Sequence, residues 1–421
     1  MNVRNQGGLG LADDTIAPIP RVTIQGFCES QETAGVIGAA AQDRRMMKAH
    51  VKVHMGGASA AVEAYRNAPT PNVIVLEASG DRDAILHQLD ELAEFCDAGT
   101  KVIVIGRFND IILYRELIAR GVSDYLVSPL SVINFVRAVS QLYAGGSATT
   151  LGRIVAVTGA KGGVGASTIA HNISWALSRN YDAATVLADL DLPFGTAGLD
   201  FNQDPAQGIG DAVFTPERLD QAVLDRLISR CSDKLSLLAA PVTLDRMYDL
   251  GEAAFDPICD LLRASVPHVV LDVPHGWASW TRRTLMSADE IVIVAAPDLA
   301  NLRNVKNLLD VLRAGRPNDA PPRLVINMVG VPKRPEIGIP DFVKVAEIEP
   351  MAVIPFDAKL FGTAANNGQM IAEVDSGSKV AEALSEITRG LTGRGETRQS
   401  KKGLLGQLGP LGSLLSRARA S

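Results

Sequence analysis

RIVAVTGAKGGVGASTI, residues 153–169, sets a short β-branched apolar run against a glycine-rich loop that opens into a helical pattern. Gly162, Gly163 and Gly165 let the backbone turn without Cβ clashes, so the N–H groups of the run Gly162, Gly163, Val164, Gly165, Ala166, Ser167 and Thr168 can converge on one anion. The helix that follows adds the positive end of its dipole. Ser167 is placed to offer a hydroxyl to Mg²⁺, and Thr168 a further phosphate contact. In the pattern G-x-x-x-x-G-K-[ST] a lysine precedes the serine; here that position is Ala166, which brings no charge to the phosphates. Lys161 occurs earlier, and takes over that role only by folding back over the loop or by reaching across a dimer interface. A turn of this composition that binds nothing is the alternative. The loop as written supports phosphate binding, while Ala166 counts against hydrolysis.

Downstream, strands are expected at Thr185–Ala188, Lys234–Leu238, His268–Leu271, Ile291–Ala295, Leu324–Asn327 and Ala352–Ile354, with helical patterns between them. With Arg153–Val157 they make a doubly wound parallel sheet whose ligand sits at the carboxyl ends of the strands. Asp189 and Asp191 close the second of these strands. One carboxylate there can hold Mg²⁺ through water and a neighbour can orient an attacking water; two solvated carboxylates at a strand end are the alternative. Asp272, in HVVLDVPHG, ends another apolar strand, where Asp-x-Pro also reads as an ordinary turn.

The loop is similar to the deviant Walker A motif of the MinD/ParA ATPases, K-G-G-x-G-[K]-[ST]-T, whose signature is the early lysine. KGGVGASTIAHNISWAL, with alanine in the second lysine position, resembles the CpaE (TadZ-like) pilus assembly proteins. The resemblance implies ATP and Mg²⁺ as cofactors, with Ser167, Asp189 and Asp272 organising the metal and Lys161 and Asp191 as the catalytic pair, Asp191 in switch I. It makes Asp272 the Walker B aspartate, followed by Pro274 and Gly276 in a switch II segment. Asn327, in LVINMVG, falls where the family sets an asparagine against adenine, though asparagine is also a common turn former. Pro355 and Asp357, in IPFD, fit the next loop and the base pocket.

Ahead of this unit, apolar runs at Val22–Phe27, Val51–His54, Asn72–Leu76, Lys101–Ile105 and Asp124–Val127 alternate with helical stretches, including Ser59–Arg66, Ala84–Phe95, Ile111–Arg120 and Ser131–Leu142. Five strands so spaced predict a second doubly wound α/β domain, of flavodoxin type. The spacing resembles a response-regulator receiver, but Phe27 and Cys28 replace the acidic pair, Glu77 replaces the phospho-acceptor aspartate, and Ser128-Pro129 replaces Lys-Pro. Without those groups acyl-phosphate formation is expected to fail, leaving a docking or dimerising module. The expected organisation is a disordered segment 1–20, a receiver-like domain 21–143, a linker 144–152, an ATPase domain 153–390 and a basic tail 391–421.

At 421 residues, nearly half of them apolar, the chain is long enough for two or three cores. Cys28, Cys96, Cys231 and Cys259 are scattered, without metal-ligand spacing, and read as small hydrophobes in a reducing compartment. The histidines are dispersed too; His275 alone falls near the expected chemistry, as a polar loop residue, and His171 lies in the helix after the loop. From Arg389 onward seven basic residues stand against one acid, Glu396, so the body is more acidic than the net charge of −6 suggests. A nucleic-acid partner is therefore not expected. No apolar run approaches bilayer length and no secretory signal is seen, so a cytoplasmic protein is expected. The tail interleaves leucines with glycines and Pro410, which argues against one continuous amphipathic helix; a weak inner-membrane contact through it is the lesser expectation, a disordered basic tail the greater.

The resemblance implies a homodimer serving the secretion machinery of a Tad (Flp, type IVc) pilus, at a cell pole or the inner face of the cytoplasmic membrane. A nucleotide-independent scaffold and a MinD/ParA-type positioning ATPase are the alternatives.

Overall fold

β1 (Thr23–Cys28), β2 (His50–Met55), β3 (Val73–Glu77), β4 (Lys101–Gly106) and β5 (Asp124–Val127) form one parallel sheet in the order β2-β1-β3-β4-β5. The computed structural model describes residues 16–143 and 151–392, and the chain divides into two units between Thr149 and Thr150. Every residue of β3 is buried, since both sheet faces are covered. Val73 and Val75 join a core with Ile37, Phe135 and Val139 on one face; Ile74 and Leu76 join Ile85, Leu89 and Leu117 on the other.

Two features depart from expectation. The helix Gln31–Ala40 was not anticipated, because QETAGVIGAA carries two glycines and little apolar periodicity. It is fixed instead from outside its own sequence. Glu77 accepts from the Glu29 and Ser30 N–H groups through Oε2, at 2.7 and 2.8 Å, and from the Ser30 and Thr33 hydroxyls through Oε1, each at 2.7 Å. Burial alone would raise the pKa of this carboxyl, but the four donors outweigh it and hold it below the usual value. The second departure lies at residues 16–20, the described part of a segment expected to be loosely packed. Ile19 is buried in the core, its N–H donates to the Arg45 carbonyl at 2.8 Å, and the Ala17 carbonyl accepts from Ser140 Oγ at 2.8 Å. An apolar residue flanked by two prolines escapes any periodicity reading, yet burying it is favourable. The rest of that segment, all but residues 151–152 of the linker, and all but residues 391–392 of the tail lie outside the described residues.

Among the described residues the second unit has eight strands: β6 (Arg153–Gly159), β7 (Thr185–Asp189), β8 (Ser229–Arg230), β9 (Leu235–Leu238), β10 (His268–Val273), β11 (Glu290–Ala295), β12 (Arg323–Val329) and β13 (Pro350–Pro355). Their order is β13-β12-β11-β6-β10-β7-β9-β8, parallel throughout except for β8, a two-residue edge strand antiparallel to β9 and too short to leave a sequence signal. Ile154 and Ala156 of β6 face one buried layer with Leu262, Val305 and Leu309, while Val155 and Val157 face the other with Ile173, Leu177 and Leu384. The chain runs from β6 toward β7 and β9, returns through β10, and then builds outward on the opposite side, which leaves a crevice at the carboxyl ends of the central strands. Among the described residues no helix is long and apolar enough to cross a membrane.

Replacing Glu77 with alanine would strand the Glu29 and Ser30 N–H groups and the Thr33 hydroxyl, and leave the Ser30 hydroxyl only its contact with Thr33 Oγ1. Glu77→Ala is expected to cost about 2–4 kcal/mol of stability, read as a lower midpoint for the first unit in denaturant melts; an unchanged midpoint would show that water replaces the carboxylate freely.

Candidate functional site

The loop after β6 is held by its neighbours. Ala160 donates its N–H to Val294 of β11 at 2.8 Å, Asn304 Nδ2 donates to the Ala160 carbonyl at 2.8 Å, and Asn327 Nδ2 donates to the Val164 carbonyl at 2.8 Å. Gly163 and Gly165 adopt φ values of 79° and 84°, where a side chain is strained. A Cβ on Gly165 would also stand 2.7 Å from Asn327 Nδ2. The helix Ala166–Asn180 begins directly after Gly165, so its free N–H groups and dipole point into the loop. Gly162, Gly163 and Lys161 are exposed, Ala166, Ser167 and Thr168 half-buried, and Val164 is in the core. Lys161 makes no hydrogen bond or ion pair among the described residues, though its charge is one of those felt by Asp298, which caps the helix Leu299–Gly315.

Beside the loop, strand register sets two carboxylates next to one another. Asp272 of β10 pairs directly with Asp189 of β7, and both are buried. Asp189 accepts from the N–H groups of Asp191 and Ala197, at 3.1 and 3.2 Å. Gly195 lets the backbone pass over this carboxylate, since a Cβ there would lie 2.3 Å from Asp189 Oδ2. Burial first, and then the neighbouring Asp272, push the Asp189 carboxyl up to about 7. Asp191 is half-buried and shifted upward for the same reasons, burial before Asp272.

His171, which sequence reading set aside as one of several dispersed histidines, sits inside this cluster. It is fully buried; Nδ1 lies 2.7 Å from Asp200 Oδ2 and Nε2 lies 3.4 Å from Asp272 Oδ2. The second is an ion-pair distance without hydrogen-bond alignment. Burial pulls the imidazole pKa down, but the two carboxylates more than reverse this and hold it at about 10. The available signal was spacing: His171 follows Ser167 by four residues and shares its helix face. His275, read as an ordinary loop residue, packs its ring over Gly162, where a Cβ would meet Cε1 at 3.0 Å.

A cavity of about 300 Å³ adjoins the loop, lined in part by Gly165, Thr168, Asp200, Asn327, Phe356 and Phe361. The residues of the run IPFD stand differently around this cavity. Pro355 is not among the lining residues; the next residue, Phe356, supplies the apolar wall. Asp357 caps the helix Ala358–Asn367 by accepting from the Leu360 N–H at 2.9 Å, because that helix begins immediately after it. Asn327 does line the cavity, but its amide N–H₂ serves the loop and leaves the buried Oδ1 without a partner.

The residues present fit a hydrated Mg²⁺ carried by a nucleotide. Among the described residues there is no group of three or more His, Cys, Asp or Glu side chains that could hold a metal ion alone. Mg²⁺ characteristically keeps several waters and takes one or two carboxylates together with substrate phosphates. Asp189 and Asp272, crowded and short of positive charge, match that requirement, with Ser167 at the start of the adjacent helix.

Residues 152–310 match the family model for cellulose biosynthesis protein BcsQ. The septum site-determining protein MinD of Synechocystis is 25% identical over 250 residues, spanning 58% of this chain and 91% of that protein. A crystal structure of the pilus assembly protein CpaE from Caulobacter crescentus is 51% identical over 30% of this chain, in its N-terminal part, and 96% of that chain, with a TM-score of 0.30. MinD complexed with Mg-ADP from Pyrococcus horikoshii is 20% identical over 57% of this chain and 96% of that chain, with a TM-score of 0.51, a likeness of fold.

The raised Asp189 pKa carries a sign. A carboxyl whose folded pKa exceeds its unfolded value near 4 contributes stability that is complete below pH 4 and is lost as pH rises toward 7. His171, raised from 6.5, acts likewise between about 6.5 and 10. Relative to wild type, Asp189→Asn is therefore expected to gain up to about 4 kcal/mol between pH 4 and pH 8, measured as the difference in thermal midpoints of the nucleotide-free proteins; a pH-independent difference would place the proton elsewhere.

Proposed function

We propose, for a chain that belongs to the CpaE-like pilus assembly proteins of the MinD/ParA superfamily, an ATP-dependent dimeric switch that localises or assembles the secretion machinery of a Tad (Flp, type IVc) pilus. The observation that carries the nucleotide reading is the meeting of the braced loop Gly162–Thr168 with the paired carboxylates Asp189 and Asp272. In this reading the loop N–H groups bind the β- and γ-phosphates, and Ser167, Asp189 and Asp272 organise Mg²⁺. When bound, Mg²⁺ supplies the charge that neutralises those phosphates. The base enters the cavity between Asn327 and Phe356, where the free Asn327 Oδ1 accepts from an exocyclic amine. Lys161 and Asp191 are the candidate catalytic groups.

Ala166 makes turnover weak or absent. Loss of the loop lysine removes a point charge from the phosphates that backbone dipoles do not replace. Binding and switching need less. Phe194, Leu199 and Trp277 are largely exposed on segments that follow Asp191 and Asp272, and they give a second copy an apolar surface beside the phosphate site. Lys161, exposed and unpaired, is then available to phosphate on the facing subunit. A nucleotide-independent scaffold is the second reading, favoured by Ala166 alone.

Calorimetric titration of ATP with Mg²⁺, alongside light scattering, tests this. Micromolar binding that doubles the mass, with Lys161→Ala weakening both by tenfold or more, is the expected result; no binding at millimolar ATP with unchanged mass selects the scaffold. In the cell, deletion is expected to abolish pilus assembly or its polar placement, and piliation as in wild type would end the pilus assignment.

A further inference from the structure

In the second unit the buried His171 touches two carboxylates that belong to different parts of the site. Asp272 stands at the metal-organising end of β10, while Asp200 ends the short helix Ala197–Asp200 and lines the cavity. The imidazole lies between them, 2.7 Å from Asp200 and 3.4 Å from Asp272, with its ring tilted against Phe201 at 5.8 Å. The same short helix is held at its other end, where the Ala197 N–H donates to Asp189. Leu199, within it, is largely exposed.

We propose that His171 is a positioning residue that yokes Asp272 to the helix Ala197–Asp200, so that the state of the phosphate site is transmitted to the exposed surface around Leu199. The inference rests on the nucleotide reading for its input and on geometry for its linkage. The short bond to Asp200 holds the ring with Nε2 3.4 Å from Asp272 Oδ2, an ion-pair contact without hydrogen-bond alignment. Because the ring is buried among packed side chains, Asp272 cannot shift far without moving the ring, and the ring cannot move without drawing Asp200 and Phe201 with it.

Two amide variants separate the two contacts. An asparagine amide falls near the position of Nδ1 and can still meet Asp200; a glutamine amide reaches the position of Nε2 and can still meet Asp272. Amide hydrogen exchange of residues 197–201 in the nucleotide-free protein reads the first contact. The gain in ATP affinity on adding Mg²⁺, by calorimetry against the same titration in EDTA, reads the second. His171→Gln is expected to speed exchange at residues 197–201 at least tenfold while keeping the Mg²⁺ gain within threefold of wild type. His171→Asn is expected to keep exchange near wild type while losing at least tenfold of the Mg²⁺ gain. A residue that merely fills space would move both readouts together, or neither, in the two variants, and either pattern overturns the proposal. If wild-type protein takes up no ATP, the nucleotide reading falls, and the exchange contrast between the two variants still decides the linkage to Asp200. Should both variants lose the fold, Asp200→Ala, which removes the acceptor at a partly exposed position, takes their place: faster exchange at 197–201 supports the yoke, and unchanged exchange overturns it.

Discussion

Two carboxylates buried side by side repel, and neither finds enough water to spread its charge. The register of β7 against β10 imposes that arrangement on Asp189 and Asp272, and much of the second unit answers to it. The backbone at Ala197 bends over Asp189 to donate a hydrogen bond, which requires a glycine at 195. A histidine is drawn into the core of the neighbouring helix although nothing about that helix's amphipathic pattern calls for one. These are compensations for placing two carboxylates side by side at buried strand ends.

The first unit shows the opposite outcome from the same starting point. Glu77 also ends a central parallel strand, and it too is buried. There, however, two N–H groups and two hydroxyls from the turn after β1 and the start of the helix Gln31–Ala40 converge on it, and its pKa falls where that of Asp189 rises. One strand-end carboxylate is fully consumed in holding a helix; the other is left in deficit. Fold alone does not decide between structure and chemistry at this position; the donors supplied by the adjacent loop do.

Much of this was legible in residue order. Both sheets, the glycine-rich turn between β6 and its helix, and the strand-end positions of Asp189 and Asp272 follow from apolar runs and from glycine spacing, since those patterns are local. What escaped was decided by partners distant in sequence. The helix Gln31–Ala40 depends on Glu77, more than forty positions away. The significance of His171 depends on Asp200 and Asp272, which only the folded sheet brings to it. Asn327 was recognised as a site residue and lines the cavity, yet half of its amide is engaged with the Val164 carbonyl, a contact spanning 163 positions. Pro355 ends β13, and the residue that lines the cavity is the next one, Phe356, just past the strand.

The amides of Asn304 and Asn327 brace carbonyls at both ends of the glycine loop, at Ala160 and Val164. A glycine-rich segment left to itself would sample many conformations, and ordering it on ligand uptake would cost roughly 1–2 kcal/mol for each residue fixed. Here that ordering is already achieved by folding. In the proposed nucleotide reading, with alanine where a charged side chain is usual, more of the attraction for phosphate falls to the main chain, and a main chain attracts well only when its dipoles are aligned beforehand. The two asparagines thus offset in entropy part of what Ala166 forgoes in charge.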